Sequence, residues 1–168
     1  MSNVRPLEGA TAMGENALEL RPAVAGDFAY LYGLCEATMR EYVEIDLGDR
    51  FEEIARPTIQ TLLERELFSK IYVNDKLVGA IASESHDTHV QLEELYIDGA
   101  NQKQGIGTIV VTRLVEQSSL LGLPVRLHVL ASNGARSFYE KLGFLITRST
   151  KEVNFMEYRP ANVVASVA

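Results

Sequence analysis

Between Leu92 and Leu121 a β-rich stretch ends at Ile97, crosses a polar loop, meets Gly105 and Gly107, and runs directly into a helical stretch. That order constrains the fold, because it aims several unpaired backbone N–H groups at one point. The helix dipole favours an anion there, and glycines without Cβ atoms let a phosphate approach the backbone closely. A P-loop requires Lys-Ser or Lys-Thr directly after its last glycine, where Thr108-Ile109 stands. A dinucleotide-binding turn requires a third small residue where Val110 stands. It also needs an acidic residue about 20 positions on, where the chain offers Val125 and Arg126. Both fail on their own terms, which leaves another anion-binding loop or a plain tight turn.

Strand-like and helix-like stretches alternate around this loop. Ala17 to Arg21 reads as a short strand with Leu18 and Leu20 on one side, stopped by Pro22. Phe28, Leu31, Leu34 and Cys35 predict a helix over Asp27 to Glu41. A second helical stretch covers Asp49 to Leu67, and Pro57 inside it predicts a kink or two shorter helices. Phe68 to Val73 and Leu77 to Ser85 are β-rich and joined by the turn-forming Asn74-Asp75-Lys76. Thr88 to Ile97 completes an antiparallel meander. Gly105 to Leu121 predicts a strongly amphipathic helix with Ile106, Ile109, Val110, Leu114 and Leu121 on one face, ended by Gly122. A strand at Val125 to Leu130, a short helix at Gly134 to Leu142 stopped by Gly143, and strands at Phe144 to Thr150 and Glu152 to Tyr158 finish the pattern. The fold class is mixed α/β with a central, largely antiparallel sheet.

The 168 residues suit one domain over 17–160, with flexible segments expected at 1–16 and 161–168. No apolar run approaches the ~18 residues that span a bilayer, and no signal-peptide pattern opens the chain, so no membrane association is expected. Cys35 is the only cysteine and sits among Leu31, Leu34 and Met39, which suits a buried apolar residue in a reducing, cytoplasmic setting. A net charge of −7 argues against nucleic-acid partners. His86 and His89 flank a turn with no third ligand nearby, so no metal site is expected.

Gln102-Lys103-Gln104-Gly105-Ile106-Gly107 resembles, at every defined position, the Gln/Arg-x-x-Gly-x-Gly/Ala signature of the GNAT N-acetyltransferase superfamily. Asn133-Gly134-Ala135-Arg136-Ser137-Phe138-Tyr139 resembles that family's Asn-x-Ala-x-x-Phe-Tyr element and falls after the next strand, where the family places it. Leu92 to Ile97 and Phe155 to Pro160 are also similar to family segments. Met39 to Glu44 resembles one subgroup, but Ile45-Asp46-Leu47-Gly48 stands where that subgroup carries tryptophans.

The resemblance implies a GNAT-like sheet of about six to seven strands, splayed at the cofactor slot and flanked by about four helices. It implies acetyl-CoA as co-substrate, with no metal, and transfer to a primary amine by direct attack in a ternary complex. A small-molecule amine is the expected acceptor, with peptide or protein amines also open, and a homodimer is compatible with it. Leu95, Tyr96 and Ile97 would pair with pantetheine as an added strand. A bulge would open the slot, and a backbone N–H near Leu95 or Tyr96 would polarise the thioester carbonyl. Gln102, Lys103, Gln104, Gly105, Ile106, Gly107 and Thr108 would hold the pyrophosphate, with Asn133 and Ser137 on the far side of the slot. Tyr139 is the implied general acid. Glu93 leads as general base, with Glu94 on the opposite face of a regular strand and His128 as alternatives. Glu41, Tyr42 and Glu44 are candidates for the acceptor pocket. A non-catalytic acyl-CoA-binding domain is the rival reading, and a toxin-like enzyme acetylating aminoacyl-tRNA lacks the basic patch it would need.

Overall fold

The computed structural model describes residues 17–161. The flexible segments expected at 1–16 and 161–168 lie, apart from Ala161, outside the described residues. The elements run β1 (Leu18–Pro22), α1 (Phe28–Leu47), α2 (Phe51–Glu64), β2 (Phe68–Val73), β3 (Lys76–Ser85), β4 (Val90–Ile97), α3 (Ile106–Leu120), β5 (Val125–Leu130), α4 (Ala135–Lys141), β6 (Leu145–Ser149) and β7 (Val153–Tyr158). One sheet carries all seven strands in the order β1-β2-β3-β4-β5-β7-β6. Only β4 and β5 pair in parallel; the other neighbours are antiparallel.

Local chemistry accounts for most boundaries. Asn74 and Asp75 take left-handed φ of 49° and 63°, the conformation a tight hairpin requires, and β2 pairs with β3 directly across them. Gly122 and Gly143 stop α3 and α4 at φ of 67° and 96°. Three expectations need correction. Helix α1 runs on past Glu41 to Leu47 because Val43 is buried and Leu47 packs on the core, while Arg40 bridges Glu36 and Glu44 along the exposed side. Of the two outcomes expected at Pro57, division into two shorter helices does not occur; α2 continues through it as one helix, and one backbone donor is lost. In α3 the expected Ile106, Ile109, Val110 and Leu114 do pack on the core, joined by Val111, Val115 and Ser118, but Leu121 is 68 % exposed.

The sheet separates two cores. On one side Ile106 and Val110 of α3, Tyr139 of α4 and Phe144 just after it pack against Leu92, Val125, Leu127 and Met156. On the other, α1 and α2 bury Leu31, Phe51 and Ile59 over Phe68, Tyr96, Ala80 and Ala82. The two alanines of β3 leave room for the helices to settle. Burial of this apolar surface, at about 25 cal/mol per Å², is the main force holding both layers. Among the described residues no helix is long and apolar enough to cross a membrane.

Candidate active site

The site begins where β4 and β5 part. They pair only at Val90↔Val125 and Gln91↔Arg126, after which β5 continues alone with β7. On the other edge of β4, Leu92 pairs with Ser83 and Glu94 with Ala82, leaving Glu93 as the extra residue of a bulge. A bulge bends and twists its strand, and here it also resets the alternation of side chains. Leu92 and Leu95, three positions apart, both join the α3-side core, whereas Tyr96 joins the α1–α2 side. β4 is therefore not regular here, and the opposite-face placement of Glu94 that a regular strand would give does not apply. Glu93 and Glu94 line the same cavity, of about 220 Å³.

The two carboxylates differ in setting. Glu94 keeps some accessible surface at the cavity wall, but protein atoms surround its carboxyl, and this burial pushes its pKa up to about 7. A hydrogen bond with Tyr96 works against that rise, and the neighbouring Glu93 charge adds to it. Tyr96, 2 % exposed, is held well above the ordinary phenol range by burial first and the Glu94 charge second. Cys35 behind it is buried, and its thiol is pushed up to about 12, so it is a poor nucleophile.

A second cavity, of about 480 Å³, lies between α1, the end of β4 and the start of α3. Gly105 caps α3 at φ +83°, a conformation costly for any residue with a Cβ. The turn it makes presents the N–H groups of Ile106, Gly107 and Thr108, which have no acceptor one helical turn earlier, to this cavity. Gln102, Lys103, Gly105, Ile106, Gly107 and Thr108 line it; Gln104 and Ser137 do not. The side chain of Gln102 donates to the Ile97 carbonyl at 2.9 Å, so it stiffens the loop. Gly107 has a packing reason to be small beside the close anion approach its sequence position suggests. A Cβ there would stand 3.3 Å from Phe138 Cζ, so its missing side chain makes room for α4.

Tyr139 on α4 is 7 % exposed and lies edge-on between Phe138 at 4.9 Å and Phe144 at 5.4 Å between ring centroids. It nevertheless lines both cavities, so packing and site roles coexist in one side chain. Burial raises its pKa above the ordinary phenol value, and the charge of Glu94 adds to the rise. Asn133 also lines both cavities. Its carbonyl oxygen accepts the Ala135 N–H at 2.9 Å and its amide lies 3.9 Å from Met39 Sδ.

The α1 candidates are placed differently from expectation. Glu41 and Glu44 are exposed and line neither cavity, and Glu44 is paired with Arg40. Tyr42 lines the larger cavity, not the smaller. Met39, Val43 and Leu47 form the α1 wall of the smaller cavity instead. Their spacing of four residues was a legible signal for one helix face. Asn101, 8 % exposed, is a further lining residue of the larger cavity that carried no sequence signal. His128 borders the smaller cavity from β5, and His86 stacks on His89 at 4.7 Å in the exposed turn.

Comparison with known proteins agrees with this architecture. The family model described as an acetyltransferase (GNAT) domain matches residues 41–163. No curated protein matches the chain. Among solved structures, the PaiA N-acetyltransferase from Thermoplasma acidophilum in complex with coenzyme A is 18% identical with a TM-score of 0.66, covering 84% of this chain and 98% of that one. Arabidopsis thaliana Naa50 in complex with the bisubstrate analogue CoA-Ac-MVNAL is 20% identical with a TM-score of 0.62, covering 84% and 97%. A ribosomal-protein alanine N-acetyltransferase from Escherichia coli is 17% identical with a TM-score of 0.60, covering 90% and 99%. With the family model spanning most of the domain, and the same sheet and helices found in those structures, the chain belongs to the GNAT acetyltransferase family.

Proposed function

We propose that the chain transfers an acetyl group from acetyl-CoA to a primary amine by direct attack within a ternary complex. The observation that carries this reading is the junction of the two cavities. Met39, Leu95, Tyr96, Asn133, Ala135 and Tyr139 line both, so a molecule in one meets a molecule in the other beside Glu94 and Tyr139. The larger cavity suits acetyl-CoA: unpaired N–H groups at the start of α3 face the pyrophosphate, and the free edge of β4 at Leu95 to Ile97 takes pantetheine as an added strand. Bound there, acetyl-CoA supplies an activated acyl thioester.

The residues of the chain do the rest. An amine with pKa near ~10 arrives as an ammonium. The Glu94 carboxylate accepts its proton, helped by the same desolvation that raises the carboxyl to about 7 and lowers the ammonium. A backbone N–H at Leu95 or Tyr96 faces the carbonyl oxygen as charge develops. The Tyr139 hydroxyl stays protonated throughout the working pH range; as the C–S bond breaks it gives its proton to the departing thiolate, and the proton the nitrogen loses in becoming an amide returns to the Tyr139 oxygen. In water that transfer is uphill from a phenol near ~10 to a thiolate near ~8.5, but a dry site makes the thiolate more basic as well. Glu93, on the bulge, adds negative charge that attracts the ammonium. A domain that merely bound acyl-CoA would need neither Glu94 nor the Tyr139 hydroxyl.

The test is calorimetry with acetyl-CoA followed by thiol release on addition of an amine mixture. Micromolar binding with amine-dependent thiol release supports the reading; binding with no release for any amine supports the non-catalytic alternative.

A further inference from the structure

Resting on the acetyl-transfer reading, we infer that the acceptor is a small primary monoamine with an apolar body, an alkylamine or arylalkylamine. The smaller cavity is walled on α1 by Met39, Val43 and Leu47 and on α2 by Phe51, Ile54 and Ile59. Among the described residues its only acidic lining groups are Glu93 and Glu94, both supplied by the bulge in β4, and no lysine or arginine lines it. One ammonium is therefore held at one place.

Each competing acceptor meets a specific penalty in this cavity. A polyamine would press a second cation against hydrocarbon, where desolvation is not compensated. An amino acid would bring a carboxylate toward two carboxylates with no lysine or arginine to receive it. A peptide N-terminus would carry backbone N–H and C=O groups along helix walls that offer few partners. The Thr58 hydroxyl there already donates to the Ile54 carbonyl at 2.7 Å. The size agrees: an apolar cavity of about 150 Å³ holds a benzene ring. The 220 Å³ present here suits a phenyl group or a short alkyl chain attached to the amine.

The experiment is a substrate series with acetyl-CoA, read as kcat/KM. From ethylamine to hexylamine the value should rise about fourfold per methylene. Spermidine, free lysine and a methionine-initiated pentapeptide should each fall at least about tenfold below hexylamine. A flat chain-length series, or a preference for spermidine, lysine or the peptide, would overturn the inference. Ile54→Glu places a carboxylate on the apolar wall and should lower hexylamine turnover while improving 1,5-diaminopentane relative to it, with acetyl-CoA affinity unchanged. Thr58→Phe narrows the cavity without adding charge and should move the optimum to shorter amines, which tests the same wall should Ile54→Glu fail to fold. Acetyl-CoA binding with no amine acetylated would instead overturn the acetyl-transfer reading, and the substrate class with it.

Discussion

A Cβ on Gly107 would stand 3.3 Å from Cζ of Phe138, so the first turn of α3 and the helix α4 meet at a point where an added methyl would be tight against that ring. Phe138 in turn lies edge-on against Tyr139 at 4.9 Å. The loop glycine and the candidate acid are thus mechanically linked through one ring.

Gly107→Ala tests that link. In an open helix the change gains about 1 kcal/mol, but here the methyl must displace Phe138. We expect a lower Tm and a lower kcat, both partly restored by Phe138→Leu, with a coupling of about 0.5–1 kcal/mol in the double-mutant cycle. A Tm raised by the full helix-propensity gain would show that the ring yields freely.

Tyr139→Phe removes one hydroxyl and leaves the aromatic packing with Phe138 and Phe144 in place. The expected result is a fall in kcat of about 10²-fold with acetyl-CoA affinity and Tm little changed. An unchanged kcat would confine Tyr139 to packing.

Glu94 should govern the acidic limb of the rate profile. With its carboxyl near pH 7, kcat/KM should fall as pH drops through about 7, and Glu94→Gln should lower activity and remove that limb. A limb surviving in Glu94→Gln would point to Glu93 or His128. Stability runs the opposite way. The folded pKa of about 7 lies above the ordinary 4.5, so between those values the native state holds a proton that the unfolded state has released. Stability therefore declines as pH rises from 4.5 to about 7 and levels off above. Glu94→Gln should raise Tm at pH 8 and leave it unchanged at pH 4, as measured by scanning calorimetry.

Asp46 ties the end of α1 to the loop before α4, accepting the Ser132 N–H at 2.9 Å and the Ser132 hydroxyl at 2.8 Å. Asp46→Ala should cost about 1–2 kcal/mol and loosen the loop that carries Asn133. The expected readouts are a Tm lower by about 2–8 °C and a higher KM for acetyl-CoA. A lower Tm with unchanged KM would show that Asn133 is held independently of this tie.

Where the physics is local, the residues themselves determined the outcome. Asn74-Asp75, Gly105, Gly122 and Gly143 require or tolerate left-handed backbone, and each stands at such a turn. The strands at Phe68–Val73 and Val125–Leu130 follow from short β-rich runs with turn residues beside them. The loop-to-helix entry at Gly105 and the short helix around Tyr139 were legible for the same reason, since helix starts and stops depend on neighbours a few positions away. The extent of α1 was less so, because Arg40, Glu41 and Glu44 resemble an end until their neighbours Val43 and Leu47 find the core.

What tertiary structure alone decided is where those elements lead. Whether Glu94 faces the cavity with Glu93 or turns away depends on a bulge set by the pairing of β4 with β3. Whether a slot exists depends on β5 leaving β4 after two paired positions. The same partnerships direct Gly107 toward Phe138 and exclude Glu41 and Glu44 from both cavities. Side-chain direction in a strand reverses with a one-residue shift in register, and register is fixed by partners far away in the chain. Local residue chemistry set the turns, most elements and the anion-ready helix start; the long-range pairing of strands determined which carboxylates and which phenol line the cavity beside it.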